Sequence, residues 1–146
     1  MEQKLEVKHK KFNSSGRKHI LVITNHGCHS PTINVTTDTG GQNFYVNDLC
    51  ISLVNLGYKV TILNRGGFNH PVTNQVHKGV VYYNEVLGEE GNFCRIAYLE
   101  DGIPEFVEVK QFTRTNLEKE KEHFFSLAEE IGLDLDNLLL INSHYW

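Results

Sequence analysis

Proline is scarce in this chain: three in 146 residues, against twelve glycines. That balance excludes a collagen-like or proline-rich disordered chain. Cysteine is scarce too. Cys28, Cys50 and Cys94 cannot all pair with one another, and reduced thiols in a cytoplasm are the simplest reading. No apolar run approaches the roughly 18 residues a membrane helix needs. The opening MEQKLEVKHKKFNSSGRKH is charged but has no apolar segment behind it, so it is not a secretory signal. Positive charge is not in excess either: 14 Lys and Arg stand against 18 Asp and Glu, a net charge of −4. A nucleic-acid partner and a polybasic membrane anchor are therefore not expected. What is present is 40% hydrophobic and 22% charged residues, a globular composition. The length suits one domain or part of a larger one.

Residues 1–18 are polar and basic and read as a tail. From His19 the pattern changes. His19–Asn25 and Lys59–Asn64 are short, β-branched, apolar runs without alternation, as in strands buried on both faces of a parallel sheet. Between them lie a Gly/Thr-rich stretch, His26–Gly41, and a helix-like segment, Gln42–Leu56. Phe44, Val46, Leu49, Cys50, Leu53, Val54 and Leu56 mark its apolar face, and Gly57 its stop. Ile20–Asn64 thus reads as one βαβ unit. Val80–Tyr83 and Cys94–Leu99 read as strands around a turn at Gly88–Gly91. Asn116 caps a helix ending at Gly132, and Leu138–Ser143 is a further buried strand. The chain stops directly after that strand. An α/β domain seldom ends so, and a fragment lacking some of the helices that cover its sheet is expected.

Four stretches bear chemistry. Thr37-Asp38-Thr39-Gly40-Gly41-Gln42 joins the first strand to the first helix. Its glycines either let backbone approach a ligand at the anion-favouring helix start, or merely make a tight turn. Neither a Gly-x-Gly-x-x-Gly fingerprint nor a P-loop is present. His144 in Ser143-His144-Tyr145 ends the last strand, where a ligand contact or a proton transfer is possible beside the plainer reading of a core histidine. His26-Gly27-Cys28-His29 lacks the paired ligand sets of a structural zinc site, so no metal is assigned. The run Glu118-Lys119-Glu120-Lys121-Glu122 reads as a solvated helix face. Tyr82 and Tyr83 read as sheet packing, and Phe124 and Phe125 as the buried side of the last helix.

Ile20–Asn25, His26-Gly27, Asp38-Thr39-Gly40-Gly41-Gln42, Tyr45-Val46, Leu53, Leu56-Gly57, Val60, Arg65 and Ser143-His144-Tyr145-Trp146 together resemble the N-terminal domain of retaining glycosyltransferases of the GT-B fold. The likeness is to glycosyltransferase family 4, in its sucrose-phosphate synthase and sucrose synthase branch. It spans roughly residues 19–146 and is weakest between 68 and 137. It implies a Rossmann-like α/β parallel sheet with flanking helices, the incomplete N-terminal, acceptor-side half of a two-domain enzyme. Residues 1–18 would be a tail and 19–146 the partial domain. The resemblance places Gly40 and Gly41 near the donor diphosphate or the transferring sugar, and Gln42 beside the acceptor. It places His144 on the donor sugar's hydroxyls, as the catalytic candidate. Arg65 matches a substrate-side arginine that is expected to be partly structural.

The implied donor is a UDP- or GDP-sugar and the acceptor a sugar or sugar phosphate. No tightly bound cofactor is implied; magnesium is compatible but not required. Thr37 stands where the family often has proline, and the loop before it does not map. The family's donor-site Glu pair lies in a C-terminal domain. The same spacing at Glu100/Glu108 and Glu122/Glu130 lacks the Phe-Gly context and is coincidental. Two other readings compete: a non-catalytic short module that binds sugar phosphates or a partner protein, and a dinucleotide enzyme. The second is disfavoured because Asn64-Arg65 closes the second strand where an acidic residue would be needed.

Overall fold

The computed structural model describes residues 1–25, 27–32 and 40–144, with the side chain of Val109 left aside. The chain runs α1 (Glu2–Ser14), β1 (His19–Thr24), α2 (Gly41–Asn55), β2 (Lys59–Gly66), β3 (Val80–Tyr82), α3 (Asn84–Leu87), β4 (Cys94–Glu100), α4 (Arg114–Glu130) and β5 (Leu138–His144). Short 3-10 turns precede β4, α4 and β5. The sheet order is β3-β4-β2-β1-β5. β1 pairs parallel with β2 and β5, β2 parallel with β4, and only β3 is antiparallel. This is the mixed α/β, mostly parallel architecture expected.

Alternation along the strands splits the core in two. Ile20, Val22, Val60, Ile62, Ile96 and Tyr98 face α2, against Val46, Cys50 and Val54. Leu21, Leu63, Ala97 and Leu99 face α4, against Leu127, Ala128 and Ile131. Strands buried on both faces are why these runs are apolar without alternation. Both long helices end in a Schellman motif. Gly57 (φ +93°) and Gly132 (φ +62°) take the left-handed position, and the N–H groups of Tyr58 and Leu133 close back onto Leu53 O and Ala128 O.

The structure departs from the expectations at five places. Residues 2–14 are not a tail but α1, which plants a fully buried Phe12 against the sheet. On α2, the inward stripe is Asn43, Val46, Asn47, Cys50 and Val54, while Phe44 and Leu56 face solvent. Thr113, not Asn116, caps α4; Asn116 is its reciprocal partner, with Thr113 N donating to Asn116 Oδ1 at 3.1 Å. Phe125 is 55% exposed, because it lies one residue off the inward face that Phe124 joins. Finally, β5 lies at the sheet edge among the described residues, with Leu139, Leu140 and Ile141 at least half exposed. Apolar patterning reports the burial a strand is suited to, not which neighbours it has.

α1 covers an unusual interior. Arg95, fully buried on β4, has no carboxylate partner among the described residues. Its guanidinium stacks 3.9 Å from the Phe12 ring and donates to Thr61 Oγ1 and the Ile131 carbonyl. Lys59 Nζ donates to the carbonyls of Phe12, Asn13 and Ser15. The C-terminal ends of α1 and α4 thus turn their carbonyls on two cations, which suits the negative ends of helix dipoles. All three cysteines are buried and none is in a disulfide; burial pushes the Cys50 thiol up to about 12, leaving it unreactive.

Candidate functional site

The carboxyl ends of the parallel strands gather the polar residues, where open α/β sheets bind ligands. On the α2 side, the segment after β1 is pinned to the sheet. Asn64, buried on β2, donates from Nδ2 to the carbonyls of Thr24 (2.8 Å) and Gly27 (3.1 Å), and its Oδ1 accepts from His29 N at 3.0 Å. Tyr98 OH donates to His29 O. The His29 ring is fully buried beside Asn43 of α2 (3.5 Å), and burial holds its pKa down to about 4. Residues 27–29 are thus tethered to β2, β4 and α2.

Gly40 is the N-cap of α2: its N–H donates to Asn43 Oδ1 at 3.2 Å, and its carbonyl accepts from Asn43 N at 3.0 Å. Neither Gly40 nor Gly41 has a positive φ, and a Cβ built on either meets nothing within 4 Å among the described residues. Neither φ nor packing against those residues therefore calls for glycine there, and no positive φ would be penalised by substitution. Gly66 differs, because a Cβ on it would lie 2.4 Å from His77 O and 2.6 Å from Tyr98 Cβ. The first N–H groups of α2, those of Gly41 and Gln42, belong to the turn a helix leaves unpaired, with its positive dipole end. Gln42 is half-buried.

His144 ends β5 beside Thr24 of β1. Its ring lies 5.6 Å from that of Tyr45, one turn into α2, and its Nε2 is buried without a hydrogen-bond partner among the described residues. Gly40, Gly41, Gln42 and His144 thus share the α2 side of the carboxyl edge. Arg65 does not. It points to the α4 side, where Nε and Nη2 grip Asp101 at 2.9 and 3.2 Å. Nη2 also reaches the carbonyls of Ile103 and Glu105, and Phe68 stacks at 4.5 Å. That engagement is structural; among the described residues Nη1 alone has no partner.

Beside Arg65 lies a residue that the sequence reading placed in solvent. Glu120 is 4% exposed, and Asn25 Nδ2 donates to its Oε2 at 3.1 Å. Burial raises its carboxyl to about 7, opposed in part by the Asn25 hydrogen bond and Arg65, while Asp101 adds to the rise. The spacing Asn116, Glu120, Leu127 on the inward face of α4 is the signal that the charge run concealed. Asn64, whose absence of charge was read only against a dinucleotide site, proves to be the anchor of the loop. His26, Thr37-Asp38-Thr39 and Tyr145-Trp146 lie outside the described residues. Among the described residues no group of three His, Cys, Asp or Glu side chains could hold a metal ion, and no helix is long and apolar enough to cross a membrane.

A glycosyltransferase-like α/β fold is what these features fit, and the comparison with known proteins agrees. The chain is similar to the solved structure of sucrose-phosphate synthase from Thermosynechococcus elongatus, with a TM-score of 0.63 and 26% sequence identity. The match covers 89% of this chain but 28% of that one. No family profile and no curated protein matches the chain.

Proposed function

We propose that this chain is the acceptor-side part of a retaining, family 4 glycosyltransferase of GT-B architecture. It would move a hexose from a nucleotide-diphosphate sugar, UDP- or GDP-linked, to a sugar or sugar phosphate in the cytoplasm. The observation that carries the reading is the pair Gly40-Gly41: glycine stands at two positions where neither φ nor packing among the described residues requires it, at the start of a helix. Close approach by a ligand is the remaining reason to exclude a side chain.

The chemistry would be electrostatic. Charge grows on the diphosphate as it leaves, and the unpaired N–H groups and dipole at the start of α2 are aimed where that charge develops. Gln42 would orient the acceptor, and the unpartnered Nε2 of His144 would hold a hydroxyl of the transferring sugar. Arg65 serves this site from behind, by fixing the loop that follows β4. Transfer would need further donor contacts from a second domain, so residues 1–146 alone should bind sugar phosphate and, more weakly, the nucleotide sugar, yet transfer nothing.

The test is calorimetric titration of hexose 6-phosphates and nucleotide sugars into wild type and Gly41→Val. The variant should bind at least tenfold more weakly, with its thermal midpoint preserved. Unchanged binding by a folded variant would remove Gly41 from the site and the reading with it. A second reading, a non-catalytic module with a protein partner, is favoured by one observation: the half-exposed apolar edge at Leu139–Ile141.

A further inference from the structure

Glu120, Asn25 and Arg65 converge on the α4 side of the carboxyl edge, and each has one polar atom with nothing to bond. Glu120 Oε1 and Asn25 Oδ1 are acceptors and Arg65 Nη1 is a donor; all three are buried and unpartnered among the described residues. Two of the residues are almost wholly inside the protein, Arg65 at 2% and Glu120 at 4% exposed. Buried groups left unpaired are costly, and native proteins rarely keep three together without something to satisfy them. The rest of the cluster is fully bonded: Asp101 takes Arg65, Asn116 Nδ2 at 3.0 Å and Ile103 N at 3.0 Å. The vacant bonding capacity is therefore confined to three atoms. Asn25, half-buried, is the most exposed of the three residues.

We infer that these three atoms form a hydroxyl-binding subsite for a polyol, specifically for adjacent hydroxyls of a sugar ring. The choice of ligand follows from the mixture of groups. An anion such as phosphate would be repelled by the Glu120 carboxylate. A metal cation would be repelled by the Arg65 guanidinium. A hydroxyl both accepts and donates, so one can accept from Arg65 Nη1 while donating to Glu120 Oε1, and its neighbour can donate to Asn25 Oδ1. Hydrogen bonds to charged groups away from solvent are the strong ones. The subsite is not that of Gly40, Gly41 and His144, since side-chain alternation puts it on the opposite face of the sheet. It rests on the reading that the carboxyl edge takes a sugar, and extends it by assigning a second contact surface and its chemistry.

The experiment is titration of the whole chain with a free hexose, a hexose 6-phosphate and inorganic phosphate. Affinity is followed by calorimetry, and the Glu120 carboxyl carbon by NMR. Wild type should bind both sugars and not inorganic phosphate at this subsite, with the Glu120 signal moving on addition of either sugar. Glu120→Gln keeps the shape and the Asn25 contact, and should weaken hexose binding at least tenfold while remaining folded by its thermal melt. Glu120→Ala should do the same, which guards against an amide that substitutes for the carboxyl.

Sugar binding unchanged in both variants would overturn the subsite and leave the glycosyltransfer reading standing, as would a Glu120 signal indifferent to sugar. Unchanged binding in Gly41→Val with the Glu120 response intact would strike the opposite way: the glycine pair would leave the site and the subsite would stand alone. If wild type binds neither sugar, the subsite is refuted outright. The three atoms then hold only an internal water.

Discussion

Replacing Glu120 by Gln should make the protein more stable at neutral pH than at acid pH, relative to wild type. Burial holds this carboxyl at about 7 in the folded chain against 4.5 ordinarily. The sign follows from the direction of that shift. Below about pH 4.5 the carboxyl is protonated folded or unfolded and costs nothing. As pH rises toward 7 the unfolded chain gives up the proton and the folded chain keeps it, so stability falls; above 7 both are ionised and the loss is complete. At about 1.4 kcal/mol per pH unit, the whole effect is about 3 kcal/mol. Since Glu120 is almost fully buried, solvent screening does little to reduce it.

The buried histidines work in the opposite direction. Burial, with Arg95 and Lys59 beside it, holds His19 down to about 3, and burial holds His29 down to about 4. Both groups therefore withdraw stability as pH falls below about 6.5, where the unfolded chain takes up protons that the fold refuses. A wild-type curve alone mixes the two trends, and the difference between wild type and Glu120→Gln isolates the carboxyl. Urea unfolding at pH values from about 4.5 to 8 would measure it, and the gap should widen by about 3 kcal/mol in favour of the variant. A gap that does not change with pH would refute the burial of an ionisable Glu120.

Phe12→Ala should cost about 3–5 kcal/mol, because it empties a fully buried site and strips the ring from Arg95; thermal melts measure it, and a loss under about 1 kcal/mol would show that α1 is not docked. Asn64→Asp would set a carboxylate against the carbonyls of Thr24 and Gly27. It should cost about 1–3 kcal/mol and weaken sugar-phosphate binding through the loop; a stable variant would mean the loop is not held there. Ile141→Lys, on a strand already 57% exposed at that residue, should leave stability within about 0.5 kcal/mol and reduce self-association. Light scattering across concentrations would decide, and equal association by both proteins would clear β5 of any role in it.

What could be read from the chain beforehand depended on repetition. His19–Thr24, Gly41–Asn55 and Lys59–Gly66 announce themselves because a strand buried on two faces needs an unbroken apolar run, and a helix against it needs a stripe. Gly57 and Gly132 were legible as stops for the same kind of reason: the left-handed turn that closes a Schellman motif strongly favours glycine. Single long-range contacts leave no such trace. Nothing in a lysine-rich stretch says that Phe12 will cover Arg95, or that Lys59 will collect three carbonyls. Glu120 was masked by its alternating charged neighbours, although it falls four residues after Asn116 and seven before Leu127. The site divides likewise. Gly40, Gly41 and His144 stood out as candidates from the turn and the strand end. Asn25 and Asn64 are amides whose work depends on which carbonyls and carboxylates the sheet brings beside them.

The position of α1 carries a consequence for the order of folding. A polar helix of 13 residues is marginal in water without a surface to lie on. Its fastenings all reach far along the chain: His9 to Tyr82, 73 residues away, and Asn13 to Ile131, 118 residues away. The far ends of those contacts are not in place until β3 and the end of α4 have formed. This segment must then be among the last to settle, and the first to leave when the molecule opens. Its amides should exchange with solvent ahead of those in β2, and a protease should cut first between Ser14 and His19, releasing α1 and uncovering the guanidinium beneath it.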